Sequence, residues 1–232
     1  MKKKHLLFFI LFMQTLFFKS HAAKFTVTNS GDNVVGGLRY LLDNAGSGDT
    51  IVFAQTLVGA TITLSSNIIV IDKDITIIGP GEDKLSVSNS LTSTLFNIEP
   101  FANVFIKGIK ILSCGDYDQI LQNDVSGAIY NQGNLTLKQV TFNDNQTGAI
   151  YNKGTIYMER VTLYANYTQG DRYPGRASGL FNRGTATIKE CIFDYNISDG
   201  SSVNPTGIRN SGTMYIEKNF YYPRMVCRDF CK

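Results

Sequence analysis

Between Gly127 and Tyr222 the chain writes one short pattern four times, and no other feature limits its fold as strongly. The copies align on a glycine that follows an asparagine by two, at Gly133, Gly154, Gly184 and Gly212. Apolar residues follow at offsets two, four, seven and nine: Leu135, Leu137, Val140 and Phe142; Ile156, Met158, Val161 and Leu163; Ala186, Ile188, Cys191 and Phe193. An asparagine closes the first three copies, at Asn145, Asn166 and Asn196, whereas the fourth keeps Met214 and Ile216 and then loses the pattern at Asn219 and Arg224. The glycines stand 21, 30 and 28 residues apart, so a repeated unit is joined by segments of variable length. Such a period marks a stacked architecture.

The offsets decide what is stacked. A spacing of two places alternate side chains on opposite faces of a strand, and Thr, Ile, Val, Phe and Tyr fill these runs as strands prefer. A helical repeat is excluded. Each unit holds three short strands, expected at Ile129 to Asn131, Asn134 to Lys138 and Val140 to Phe142, with Gly and Asn at the corners: one coil of a parallel β-helix. Outward positions carry Lys138, Glu159, Lys189 and Glu217 at offset five, and Gln139, Arg160, Glu190 and Lys218 at offset six. Stacked about 4.8 Å apart, the charges of both columns alternate in sign, as neighbouring strands require.

The first 22 residues read as a secretory signal peptide. Lys2, Lys3 and Lys4 form the charged region, Leu6 to Phe18 the apolar core, and Ser20-His21-Ala22-Ala23 a small-x-small site cut after Ala22. An uncleaved N-terminal anchor is the alternative. The chain carries 22 Lys and Arg against 19 Asp and Glu, and removing Lys2, Lys3, Lys4 and Lys19 leaves 18 against 19, a net charge of −1. A near-neutral mature chain without a basic stripe argues against nucleic acid as a partner. Both histidines, His5 and His21, leave with the leader. The mature sequence therefore contains no Ser-His-Asp or Cys-His system, no histidine base and no histidine-rich zinc site, and no cofactor pattern. Of the four cysteines, Cys191 takes a core offset, Cys114 a corner offset, and Cys227 and Cys231 lie in the tail, where export permits a local bridge.

Residues 23–57 differ from the repeats. Phe25 to Thr28 reads as a strand, Asn29 to Asp32 as a turn, Leu38 to Ala45 as a short amphipathic helix and Thr50 to Phe53 as the next strand. A stack of coils exposes an open edge and core at each end, so this segment is expected to cap the first coil. From Thr61 to Leu112 the coil recurs less regularly, Ala102 replacing the alignment glycine ahead of Val104, Ile106, Ile109 and Ile111. Ile75 and Ile77 imply a still earlier unit. The stack therefore holds six or seven coils over 58–222, about 30 Å long, followed by an irregular tail at 223–232.

Gly36-Gly37-Leu38-Arg39, Gly48-Asp49-Thr50-Ile51-Val52-Phe53 and Ile75-Thr76-Ile77-Ile78-Gly79-Pro80-Gly81 resemble the N-terminal region of bacterial exported right-handed parallel β-helix proteins of the pectate-lyase-like type. Gly127-Ala128-Ile129 with Phe142-Asn143-Asp144-Asn145, and Gly148-Ala149-Ile150, resemble the GGA(I/L) and FxxN repeats of polymorphic outer membrane proteins, although Ser126 and Thr147 stand where the first glycine belongs. The resemblance implies an all-β fold, a single-stranded right-handed parallel β-helix with a short N-terminal capping helix. It says little about activity, because such families include lyases, adhesins and uncharacterised surface proteins.

Three features bear on function. Asn145, Asn166 and Asn196 are expected to stack inward and hydrogen-bond along the corners, so of the four glycosylation sequons, at Asn134, Asn145, Asn166 and Asn196, the three that begin at ladder asparagines are coincidental. Tyr130, Tyr151, Phe181 and Arg209 fall on the outward position of equivalent strands and predict a strip on one sheet face, suited to a carbohydrate or a protein partner. Insertions of 12, 2, 12 and 10 residues follow Cys114, Asn145, Asn166 and Asn196, placing long loops beside that strip. The reading is an exported or cell-surface binding scaffold of adhesin type without catalytic or metal-ligating residues. Its alternatives are a fragment of a longer adhesin and a calcium-dependent polysaccharide lyase. The lyase could draw only on Asp116, Asp118, Asp124, Arg172 and Arg176. The degenerate fourth copy adds an expectation of self-association through the C-terminal end.

Overall fold

The structure, a computed structural model, describes residues 22–90, 94–114, 127–169, 177–199 and 207–217. Three all-parallel sheets run the length of a right-handed β-solenoid of about six turns. Sheet I has eight strands: Lys24–Val27, Asp49–Phe53, Ile75–Ile78, Asn103–Lys107, Asn134–Lys138, Thr155–Glu159, Thr185–Lys189 and Thr213–Glu217. Sheet II has six, from Thr61–Leu64 to Ile192–Asp194, and sheet III six, from Ile69–Ile71 to Ile208–Asn210. Each coil visits sheets I, II and III in that order.

The repeat offsets fix the register. Leu135 pairs with Val104 and Ile156, Leu137 with Ile106 and Met158, and Phe142 with Ile111 and Leu163. These columns point inward and are almost fully buried, together with Val140, Val161 and Cys191, in one continuous core. Ile75 and Ile77 pair with Val104 and Ile106, so the earlier unit implied by the sequence exists. Lys138, Glu159, Lys189 and Glu217 form one register column, in which Lys138 Nζ lies 2.8 Å from Glu159 Oε2.

Some details differ from the sequence reading. The strand expected at Val140 to Phe142 is Thr141–Asn143, because the offset-six residues Gln139, Arg160 and Glu190 adopt left-handed backbone, with φ of 51°, 53° and 53°. They turn the corner between sheets I and II instead of extending a strand. A second left-handed corner follows the last four strands of sheet II, at Ser113, Asp144, Ala165 and Tyr195. The sequence also hid a short two-stranded sheet, Tyr167–Gln169 with Ile197–Asp199. The alignment glycine has a steric origin. A Cβ built on Gly154 or Gly184 meets the carbonyl oxygen of Gly133 or Gly154 in the preceding coil, so a side chain there would push coils apart.

Helix α1, Leu38–Asn44, packs beside the first strand of sheet I and sends Leu38 and Leu42 into the core. Ala45, expected within the helix, is its C-cap. Lys73 Nζ donates to the terminal carbonyls of Leu42 and Ala45, at 3.2 and 2.9 Å, satisfying acceptors that a helix end leaves open. Arg39 Nε pairs with Asp32 Oδ1 at 2.7 Å, and Asp32 Oδ2 accepts from the Ser65 amide at 2.9 Å. Burial acts to raise the Asp32 pKa, but hydrogen bonds from Arg39, Ser66 and Ser65 outweigh it and hold the carboxyl below its ordinary value.

Candidate functional site

Two asparagine ladders fix the corners on either side of sheet III. In one, Asn131, Asn152 and Asn182 each donate Nδ2 to the Oδ1 of the next coil's asparagine, ending at Asn210, with every distance 2.7 Å. In the other, Asn145 donates to Asn166 at 2.7 Å and Asn166 to Asn196 at 2.8 Å. The Oδ1 atoms of Asn145, Asn166 and Asn196 accept the backbone amides of Cys114, Asn145 and Asn166 respectively. Asn145, Asn166 and Asn196 are buried, whereas Asn134 is exposed. Cys114 occupies the ladder position one coil earlier and is buried; burial pushes its thiol up to about 12 and that of Cys191 to about 11. Neither thiol is a nucleophile at neutral pH.

Between the ladders stands the strip. Tyr130, Tyr151, Phe181 and Arg209 are one register column of sheet III. They lie opposite the inward residues Ile129, Ile150, Leu180 and Ile208, which belong to the core. Tyr130 and Tyr151 have ring centroids 5.2 Å apart, Tyr151 and Phe181 stack at 4.8 Å, and the Arg209 guanidinium lies 5.5 Å from the Phe181 centroid. Lys153 Nζ sits 5.3 and 5.4 Å from the two tyrosine rings, and Arg183 donates to the Tyr151 hydroxyl at 3.3 Å. The tyrosines are therefore only 4% exposed, and the half-buried part of the column is Phe181 and Arg209. Phe181 has Tyr151 on one side and Arg209 on the other, which leaves a ring edge free and no open face.

The outer face of sheet I was not singled out by the sequence reading. Its central column contains Phe105, Thr136, Tyr157, Thr187 and Tyr215 in register. The first four are half-buried and Tyr215 is 58% exposed. Among the described residues no ring of this column stacks on another aromatic ring. The signal was present at offset three of the repeat, where aromatic residues alternate with threonine.

The remaining expectations fall elsewhere. Asp116, Asp118, Asp124, Arg172 and Arg176, the residues 1–21, Cys227, Cys231 and the tail lie outside the described residues. Among the described residues no group of three or more His, Cys, Asp or Glu is placed to hold a metal ion, and no helix is long and apolar enough to cross a membrane. Comparison with protein-family profiles, curated proteins and solved structures returned no match.

Proposed function

We propose that this chain is an exported, non-enzymatic scaffold of the pectate-lyase-like β-helix kind that engages a protein partner at the cell surface through the Phe181 and Arg209 end of the sheet III column. The observation that carries this reading is the column itself. Four residues from four coils are in register, their rings in contact with one another, and the two half-buried members are Phe181 and Arg209. Aromatic residues and Arg on a rigid support dominate the energetics of protein interfaces. A sugar ring needs an open aromatic face, which Phe181 lacks, so a protein fits this end better than a carbohydrate.

The test is binding of the labelled mature chain to intact cells with and without surface proteolysis. Binding is expected to disappear after proteolysis and to fall with Phe181→Ala and Arg209→Ala, while circular dichroism stays native. Binding that survives both variants would refute the assignment. Growth of ultraviolet absorbance from unsaturated uronic products on acidic polysaccharide with calcium would replace it with a lyase.

A further inference from the structure

We propose that the outer face of sheet I is a second binding surface, which takes an extended, uncharged β-1,4-linked glycan running along the solenoid axis. Phe105, Tyr157 and Tyr215 occupy the same column in alternate coils, with Thr136 and Thr187 between them. Alternate coils are about 9.6 Å apart, twice the inter-strand spacing. An extended β-1,4-linked chain presents the same sugar face at nearly that interval, once per disaccharide, so three rings can meet three equivalent units. The threonines keep the rings from stacking on each other, unlike those of sheet III. Aromatic faces attract the electropositive C–H face of a sugar for the reason that they attract cations and ring edges.

The flanking columns choose among glycans. On one side Asn103, Asn134, Thr155, Thr185 and Thr213 line the edge in register; Asn134 donates to Asn103 and Asn103 to Asp74, and the three threonine hydroxyls can both donate to and accept from sugar hydroxyls. On the other, Lys138 is committed to Glu159 at 2.8 Å, and the Tyr157 hydroxyl donates to Glu159 Oε2 at 3.4 Å. Lys138 Nζ also lies 5.7 Å from the Tyr157 centroid, so the ring is held by a charge-compensated pair. Lys189 and Glu217 continue the alternation. Lys107, in register with Lys138, completes a column of three lysines and two glutamates, a nearly balanced row without the excess of positive charge that an acidic polymer would need, and α-linked chains curl away from a flat, evenly spaced row.

Affinity electrophoresis of the full mature chain in gels containing soluble β-1,4-glucan, soluble β-1,4-linked N-acetylglucosamine polymer, amylose or polygalacturonate tests the proposal. Retardation is expected with at least one of the first two and with neither of the others. Tyr157→Thr places in this coil the residue that the column already carries at Thr136 and Thr187, so the fold is retained. It should weaken binding roughly tenfold, as expected from the loss of one of three stacking platforms. Phe105→Thr should act similarly, and Thr136→Ala should change affinity by less than about twofold. Absence of retardation by both β-linked polymers overturns the proposal, as does stronger binding to polygalacturonate. So does undiminished binding of folded Tyr157→Thr, or loss of binding in Phe181→Ala alone, which would place the glycan on sheet III. Phe181 and Arg209 lie on another sheet, so this surface can fail while the protein-binding reading survives, and the reverse.

Discussion

Replacing Asn166 by alanine should remove a large share of the protein's stability, although the side chain contributes nothing to the apolar core. Asn166 is completely buried. Its Nδ2 donates to Asn196 Oδ1 at 2.8 Å and to the Phe142 carbonyl at 3.2 Å, and its Oδ1 accepts from Asn145 Nδ2 at 2.7 Å and from the Asn145 amide at 3.2 Å. Each such bond is worth about 1 kcal/mol net, and a buried donor left without an acceptor costs about 1–3 kcal/mol. Asn145 Nδ2 keeps the Ile111 carbonyl, and Asn196 Oδ1 keeps the Asn166 amide. The Asn145 amide loses the acceptor that Asn166 provides. Three bonds at about 1 kcal/mol each and about 1–3 kcal/mol for that amide sum to about 4–6 kcal/mol, against a total of roughly 5–15 kcal/mol for an ordinary domain.

Urea titration followed by far-ultraviolet circular dichroism measures the loss. Asn134→Ala is the control, since Asn134 is exposed and its contact to Asn103 Oδ1, at 3.0 Å, lies at the surface; it should cost less than about 0.5 kcal/mol. Because coils contact mainly their neighbours, amide exchange in Asn166→Ala should accelerate first around Phe142 and Tyr167. Asn166→Asp separates hydrogen bonding from shape. Its carboxylate can accept from Asn145 but cannot donate to Asn196 or Phe142, so this nearly isosteric change should be at least as damaging. A loss below about 1 kcal/mol for Asn166→Ala, equal to the control, would refute the premise that the ladder is paired as described.

Ala165 sits at φ +54° in a corner shared with Asp144 and Tyr195, so Ala165→Gly should stabilise by about 0.5–1 kcal/mol and raise the urea midpoint. The Asp32 carboxyl titrates below its ordinary value in the folded chain, so its stabilising effect is present above the usual aspartate pKa and is lost as pH falls through the lowered one. Asp32→Asn should therefore destabilise by roughly 3 kcal/mol at pH 7, as expected for a broken buried pair, with the gap to the parent closing on acidification in thermal melts. At the far end of sheet I, Ile216 is 43% exposed although its column partner Ile188 is fully buried. Self-association through that edge should appear in light scattering at rising concentration and disappear in Ile216→Lys.

The architecture was legible because a solenoid writes its contacts in one dimension. Leu135, Ile156 and Ala186 share a sequence offset and therefore a sheet column, so alignment of the chain with itself already gives the register. The same logic exposed the Asn145 and Asn166 ladder and the Lys138–Glu159 pair. What escaped was conformational or depended on cover. Nothing in the types Gln139, Arg160 and Glu190 announces left-handed backbone, because the corner is imposed by the strands on either side and not by the residue. Tyr130 and Tyr151 occupy the outward register expected of them, yet are nearly covered; Lys153 lies over both rings and Arg183 bonds to the Tyr151 hydroxyl.

That contrast between the two aromatic columns shows how one repeat can build two different surfaces. On sheet III an aromatic residue in each of three consecutive coils brings ring centroids to 5.2 and 4.8 Å, close to the inter-strand spacing of about 4.8 Å. Rings at that spacing satisfy each other and surrender their faces. On sheet I threonine interrupts the aromatic residues in alternate coils, the gap doubles, and ring-to-ring stacking is geometrically out of reach. A continuous aromatic column is therefore a splint that stiffens its sheet, and an interrupted one leaves its rings unstacked on each other. The decisive variable is the aromatic period along the stack rather than the number of aromatic residues. Thr187→Tyr would extend the sheet I column to three consecutive rings from Tyr157 to Tyr215, which should gain stability from stacking while abolishing any glycan binding on that face; a variant that binds as tightly as the parent would break the link between ring spacing and function.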